Sequence, residues 1–176
     1  MIVRNTSLPG VCLIDFEPAV DERGLFARVW CRREFVAAGL CGDWVQSGIS
    51  RNARKGTLRG MHYQVPPYAE IKLVRCIRGA IYDVVLDLRK DSITYKGWVA
   101  VELTDENHQS LYIPQGCAHG FLTLQDDTEV LYTMSEFYHP ESARGVRWDD
   151  PVFGVAWPES HSILSKRDRT FPDFIP

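Results

Sequence analysis

Short apolar and β-branched runs return along this chain at close intervals, and little between them reads as helix. Strand-like runs stand at 11–16, 25–30, 71–76, 98–103, 110–113, 120–124 and 129–134. The run 81–88, Ile-Tyr-Asp-Val-Val-Leu-Asp-Leu, alternates apolar with acidic or aromatic residues, as a half-buried strand should. Turn-forming pairs separate the runs: Arg78-Gly79, the polar stretch 104–107, Pro114-Gln115-Gly116 and Asp126-Asp127. Only 32–38 suggests a helix, stopped by Gly39, and the Pro-bearing tail (Pro158, Pro172, Pro176) reads as packed irregular chain with short helical turns. Regular strands without alternating helices predict an all-β sandwich or barrel. At 176 residues with no linker, repeat or low-complexity segment, the expectation is one domain over 1–176.

Composition narrows the function classes. Lys plus Arg is 20 and Asp plus Glu is 23, so the net charge of −3 lacks the basic excess of a nucleic-acid binder. The first residues, Met1-Ile2-Val3-Arg4-Asn5, carry no signal-peptide pattern, and no stretch is long enough to span a membrane. The five cysteines (12, 31, 41, 76, 117) are odd in number and show no CxxC pair, which predicts buried free thiols in a cytoplasmic protein.

The run 56–64, Gly-Thr-Leu-Arg-Gly-Met-His-Tyr-Gln, sets Arg59 and His62 three residues apart in strand-like sequence, and Lys72 follows between Ile71 and Leu73. Charged groups in such surroundings are costly to desolvate unless they are paired or face a cavity. A candidate base and two cations so close together point to a site for an anionic ligand. His119 lies after the Pro114–Gly116 turn, Tyr132 sits mid-strand and Asp168 stands in the tail. A histidine titrates near neutrality and works best when a carboxylate fixes its tautomer. A lysine can stabilise an enolate oxygen, and a tyrosine can return a proton. Together these are the parts that proton abstraction beside a carbonyl requires. Each also has a plain structural reading: a satisfied strand histidine, a core tyrosine, a surface lysine, a capping aspartate. Spacing alone does not bring them together.

A metal site is the rival. Gly56 and His62 resemble the opening of the metal-binding cupin motif, and Pro114-x-Gly116-x-x-His119 its second half. Metal-binding cupins offer a second histidine two residues after the first; here Gln64 stands there, and only Glu70 could add a carboxylate. That is a poor ligand set for a catalytic metal, and no metal is expected.

The motifs together resemble the dTDP-4-dehydrorhamnose 3,5-epimerase family, across nearly the whole chain. The matching stretches are Asp21-Glu22-Arg23-Gly24-Leu25-Phe26, the run 58–64, Lys72-Leu73-Val74-Arg75, 87–92, 112–121, Trp148-Asp149-Asp150-Pro151 and 164–168. The resemblance implies a metal-free, cofactor-free cupin-type jelly-roll β-barrel with a few short helices. It implies epimerisation at C3, C5 or both of a nucleotide-linked 4-keto-6-deoxy hexose. His62 would be the base with Asp168 its partner, Tyr132 the opposing acid and Lys72 the enolate stabiliser. Arg59 and His119 would stand near substrate or diphosphate, with Arg167 also on the substrate side. Arg23, Phe26, Arg28, Gln46 and Ser50 fall where the family lines its nucleotide-sugar pocket, and Tyr138 where an aromatic ring stacks on the base. The family forms homodimers in which each protomer lends N-terminal residues to its neighbour.

Three positions leave the family's pattern. Arg28 and Gly48 stand where Glu and Asn are usual, both at the nucleotide end, and Ala143 where Glu is usual. A CDP- or GDP-linked substrate, or a module that binds sugar nucleotides without chemistry, stays open beside the dTDP reading.

Overall fold

The computed structural model describes residues 1–158 and 163–175. Its strands are β1 (Ile2–Asn5), β2 (Cys12–Asp15), β3 (Ala19–Asp21), β4 (Gly24–Phe26), β5 (Gln46–Asn52), β6 (Leu58–Gln64), β7 (Lys72–Arg78), β8 (Ala80–Asp87), β9 (Trp98–Thr104), β10 (Gln109–Ile113), β11 (Cys117–Thr123), β12 (Thr128–Met134) and β13 (Ala143–Gly145). Two short helices complete it, α1 (Arg32–Ala37) and α2 (Lys166–Arg169). One sheet runs β1-β2-β10-β7-β12-β5, a second β13-β6-β11-β8-β9, and β3 and β4 form a hairpin apart from both. Every pairing between named strands is antiparallel. This is the expected all-β cupin-type jelly roll.

The sheets face each other across one core. Val74 and Cys76 of β7, Leu111 and Ile113 of β10 and Val130 of β12 meet Ile81 and Val85 of β8, Leu103 of β9 and Phe121 of β11. Each fully buried apolar side chain of this kind contributes about 2 kcal/mol. A second cluster packs Phe35 of α1 with Cys12, Ile14, Leu73 and Tyr112 on the far face of the six-stranded sheet. The helix stops where expected, with Gly39 at φ +74°, a conformation that costs glycine little.

Three sequence expectations need correction. The run 81–88 is buried on both faces, because the chain around Phe153, Val155, Trp157 and Phe174 covers Val84 and Leu86 on the outer side. The run 25–30 is strand only to Phe26; Ala27 and Val29 leave the ladder and pack against the α1 cluster. Of the five free cysteines, Cys12, Cys76 and Cys117 are buried, but Cys31 and Cys41 are only half-buried. The tail supplies one helical turn, α2, as expected; Pro176 lies outside the described residues. Among the described residues no helix is long and apolar enough to cross a membrane.

Candidate active site

The two sheets part around a cavity of about 540 Å³, lined from β5, β7 and β12 on one side and from β6, β11 and β13 on the other. The volume suits a small ligand held between the walls.

A bulge builds its first corner. Residues three apart on a regular strand point to opposite faces. On β6, however, His62 pairs with His119 while Arg59 pairs with Phe121, so β6 carries one more residue than β11 between these pairs. Both Arg59 and His62 therefore line the cavity. Glycines permit the close approach. Gly60 has φ +144°, and a Cβ there would lie 2.5 Å from the Cα of Gly120. A Cβ on Gly120 would fall 2.6 Å from Met61 Sδ and 2.8 Å from the Arg59 carbonyl.

His62 meets a carboxylate from the far end of the chain. Its Nε2 lies 2.7 Å from Asp168 Oδ1, and Asp168 Oδ2 accepts the Gly60 N–H at 3.4 Å. Asp168 sits in α2, which Ser165 caps by accepting the Asp168 N–H at 3.0 Å. Burial pushes the Asp168 carboxyl up, but the hydrogen bond and charge of His62, with the Gly60 N–H and Ser165, outweigh it and hold the group below its ordinary value. An ionised Asp168 keeps the shared proton on Nε2 and leaves the Nδ1 lone pair free to take another.

The opposite wall holds the complementary groups. Lys72 Nζ donates to the His62 carbonyl at 3.2 Å and pairs with Glu70 at 3.1 Å. Tyr132, on β12 beside β7, is pushed far above the usual phenol range by burial and by the charge of Asp83, with Arg59 opposing. It holds its proton at neutral pH and can act as a donor. Between the walls, His119 is 3% exposed, its Nε2 lies 2.6 Å from the fully buried Asp83, and its ring meets the Tyr132 ring edge-on at 5.9 Å. Arg59 donates through Nε to Asn52 at 2.7 Å. The lining carries Arg59, Lys72, Arg144 and Arg167 against Glu70 and Asp168, a cationic balance that suits an anionic ligand.

The structure gathers most of the residues proposed from sequence, but not all. His62, Lys72, Tyr132, Asp168, Gln46, Ser50, Arg59, His119, Tyr138 and Arg167 all line the cavity. Arg23, Phe26 and Arg28 do not line it within this chain. Arg23 pairs with Asp21 at 2.5 Å on the β3–β4 hairpin, and Phe26 there is 72% exposed. Arg28 pairs with Glu34 at 2.5 Å. The hairpin pairs with neither sheet, and Arg28, just beyond it, is held at α1 by Glu34 between Ala27 and Val29, which pack against the α1 cluster. Of the three departures from the family pattern, Gly48 and Ala143 face the cavity and Arg28 does not. Asp83 was not singled out as functional from sequence; an aspartate in an apolar strand was the available signal, since such a group needs a partner. Arg144 and Ser165 carried no comparable mark. Among the described residues no group of three His, Cys, Asp or Glu side chains is arranged to hold a metal ion.

A jelly roll whose interior holds a histidine–aspartate pair, a lysine and a protonated tyrosine defines a cupin-type protein equipped to take up and return a proton. Comparison with known proteins narrows that class. The sequence profile of dTDP-4-dehydrorhamnose 3,5-epimerase matches residues 5–175. The chain is 42% identical over 178 residues to the dTDP-4-dehydrorhamnose 3,5-epimerase of Shigella flexneri, covering 99% of this chain and 97% of that one. It superposes on the crystal structure of the Bacillus anthracis enzyme of that name, with TDP and PPi bound, at a TM-score of 0.95 and 38% identity, covering 98% and 99% of the two chains. A Legionella pneumophila dTDP-6-deoxy-D-glucose-3,5-epimerase, in complex with dTDP-4-keto-L-rhamnose, matches at a TM-score of 0.88 and 34% identity, covering 95% and 89%. This chain belongs to the dTDP-4-dehydrorhamnose 3,5-epimerase family, a family of carbohydrate isomerases.

Proposed function

We propose that the protein inverts C3 and C5 of a dTDP-linked 4-keto-6-deoxy hexose, without metal or cofactor, by proton transfer through an enolate. The observation that carries this reading is the placement of His62 with Asp168 on one wall of the cavity and Tyr132 on the other. A sugar ring lying between the walls meets a base on one face and an acid on the opposite face. The 4-ketone acidifies the protons at C3 and C5. His62 takes one, its charge supported by Asp168, while the ammonium of Lys72 stabilises the enolate oxygen. Return of a proton from Tyr132 to the other face inverts the carbon. Arg59 and Arg167 supply positive charge for the diphosphate, and Tyr138 offers a ring for the base. The experiment is turnover of dTDP-4-keto-6-deoxyglucose in deuterium oxide, read by NMR. Deuterium at C3 and C5 of the product is expected; turnover without exchange at either carbon would end the proposal.

Gly48 and Ala143 favour a second reading of base recognition alone. Both line the cavity without a polar side chain, so they add no side-chain hydrogen bond to any base edge. Equal turnover of dTDP- and CDP-linked 4-keto sugars would support loose base selection.

The working unit on this reading is a homodimer. An isolated two-stranded hairpin is marginal in water, and Val20, Leu25 and Phe26 on β3–β4 are 74%, 51% and 72% exposed. Docking on a second copy would bury them and carry Arg23 and Phe26 to that copy's cavity. The five free cysteines fit a reducing, cytoplasmic setting.

A further inference from the structure

Gln64 stands in β6 where a metal-binding cupin would offer its second histidine, and the proton transfer makes no use of it. Its side chain is nonetheless fully engaged. The residue is 3% exposed. Its Nε2 donates to the carbonyls of Tyr68 at 2.9 Å and Phe137 at 3.0 Å, and its Oε1 accepts the N–H of His139 at 2.7 Å. A primary amide has two N–H donors and one carbonyl, so both donors and the carbonyl are used.

Two of these partners have a common meaning. The Phe137 carbonyl belongs to the peptide group before Tyr138, and the His139 N–H to the peptide group after it. One buried amide thus holds both peptide planes that flank Tyr138. The third partner, Tyr68, stacks its own ring on His139, with centroids 3.5 Å apart and planes within 6°, and so braces the same segment. Tyr138 itself is 59% exposed and lines the cavity. An exposed ring on a connecting segment loses side-chain and loop freedom when a ligand packs on it. Fixing its backbone beforehand reduces that cost.

We infer that Gln64 is a positioning residue for nucleotide binding, acting through Tyr138. Two residues along β6 from His62, it sets the ring in a fixed relation to the base that does the chemistry. The inference rests on the nucleotide-sugar reading above. It separates binding from chemistry: Gln64 presets the contact with the nucleobase and leaves the proton-transfer groups untouched.

The test uses the full chain with dTDP alone, inorganic pyrophosphate alone and the nucleotide keto sugar. Gln64→Met keeps the length and leaves three buried backbone groups without their partner. It is expected to raise the Kd for dTDP and the KM for the sugar nucleotide about ten-fold. Its kcat should stay within about three-fold of wild type and pyrophosphate affinity should not move. In a Tyr138→Ala background the same substitution should add little, since coupled residues are not additive. Gln64→Glu, which keeps the acceptor for His139 and loses both donors, carries the same expectation should the Met variant fail to fold. Unchanged dTDP affinity in a folded variant, fully additive losses in the double variant, a fall in kcat without a rise in KM, or unfolding of both variants would each overturn the inference. Failure of the wild-type protein to bind dTDP would instead strike the nucleotide-sugar reading itself, and this inference with it.

Discussion

Asp83 and Asp87 share one strand, one inward face and complete burial, yet their surroundings differ. Asp87 is saturated: Arg89 Nε and Nη2 donate to it at 2.8 Å each, Ser92 at 2.6 Å, Thr94 at 2.7 Å and the Arg89 N–H at 3.1 Å. Asp83 has His119 at 2.6 Å, while its Oδ2 has no hydrogen-bond partner among the described residues. A carboxylate closed on all sides fixes the turn after β8. One bound through a single histidine beside Tyr132 remains coupled to the cavity. Burial alone therefore does not mark a charged residue as functional; what sets Asp83 apart is its one ring partner at the cavity, His119.

The contrast can be tested in order of effect. His62→Ala should lower solvent exchange into the substrate about 10³-fold or more, the scale of a lost general base, and should also lower stability, because it takes the partner from the buried Asp168 carboxylate. Near-normal exchange in that variant would move the base elsewhere. Next, Asp83→Asn should cut kcat about ten-fold, while Asp87→Asn should leave kcat alone and cost about 2 kcal/mol of stability in denaturant unfolding. The reverse pattern would break the distinction between the two aspartates. A third measurement extends the contrast to the hairpin. His62→Ala and Arg23→Ala, each expected to lose activity alone, should regain part of it when refolded together, since a mixed dimer would hold one cavity free of both defects. No recovery would place Arg23 outside the partner's cavity.

The smallest effect is acid stability. Burial pushes Asp87 up, and its hydrogen bonds from Arg89, Ser92 and Thr94 pull it well below the ordinary carboxylate value. Such a group stabilises the fold fully above the unfolded pKa of about 4, and the contribution is lost as pH falls below that toward the folded value. The Tm gap between wild type and Asp87→Asn should narrow between about pH 4 and pH 2. A gap that stays constant there would mean that folding does not lower the Asp87 pKa.

Much of this was legible in the sequence, for identifiable reasons. The strand 129–134 carries a side-chain pattern that matches a sheet with a core on one side, while 98–103 and 110–113 are apolar enough to pack on both faces. β5 was invisible because Gln46–Asn52 is polar and holds Gly48; it is a strand through its ladder with β12, as an edge. The end of β4 at Phe26 was equally hidden, since Ala27 and Val29 bury themselves as well against the α1 cluster as they would in a ladder. In the site, the 106-residue separation of His62 and Asp168 made their contact readable only by likeness to a known family. The bulge that turns Arg59 and His62 to one face left its trace in Gly60 and Gly120, but no strand pattern names a bulge. Arg23, Phe26 and Arg28 illustrate the remaining gap: likeness to a family places them at a pocket that they do not line in this chain.

On the proposed mechanism, protons leave one face of the sugar to His62 and return to the other from Tyr132. The direct measurement is NMR of dTDP-4-keto-6-deoxyglucose incubated in deuterium oxide with Tyr132→Phe. Deuterium should enter the sugar with its original configuration retained, because the base still exchanges while the opposing acid is gone. Epimerised product formed at a rate near that of the wild type would contradict it.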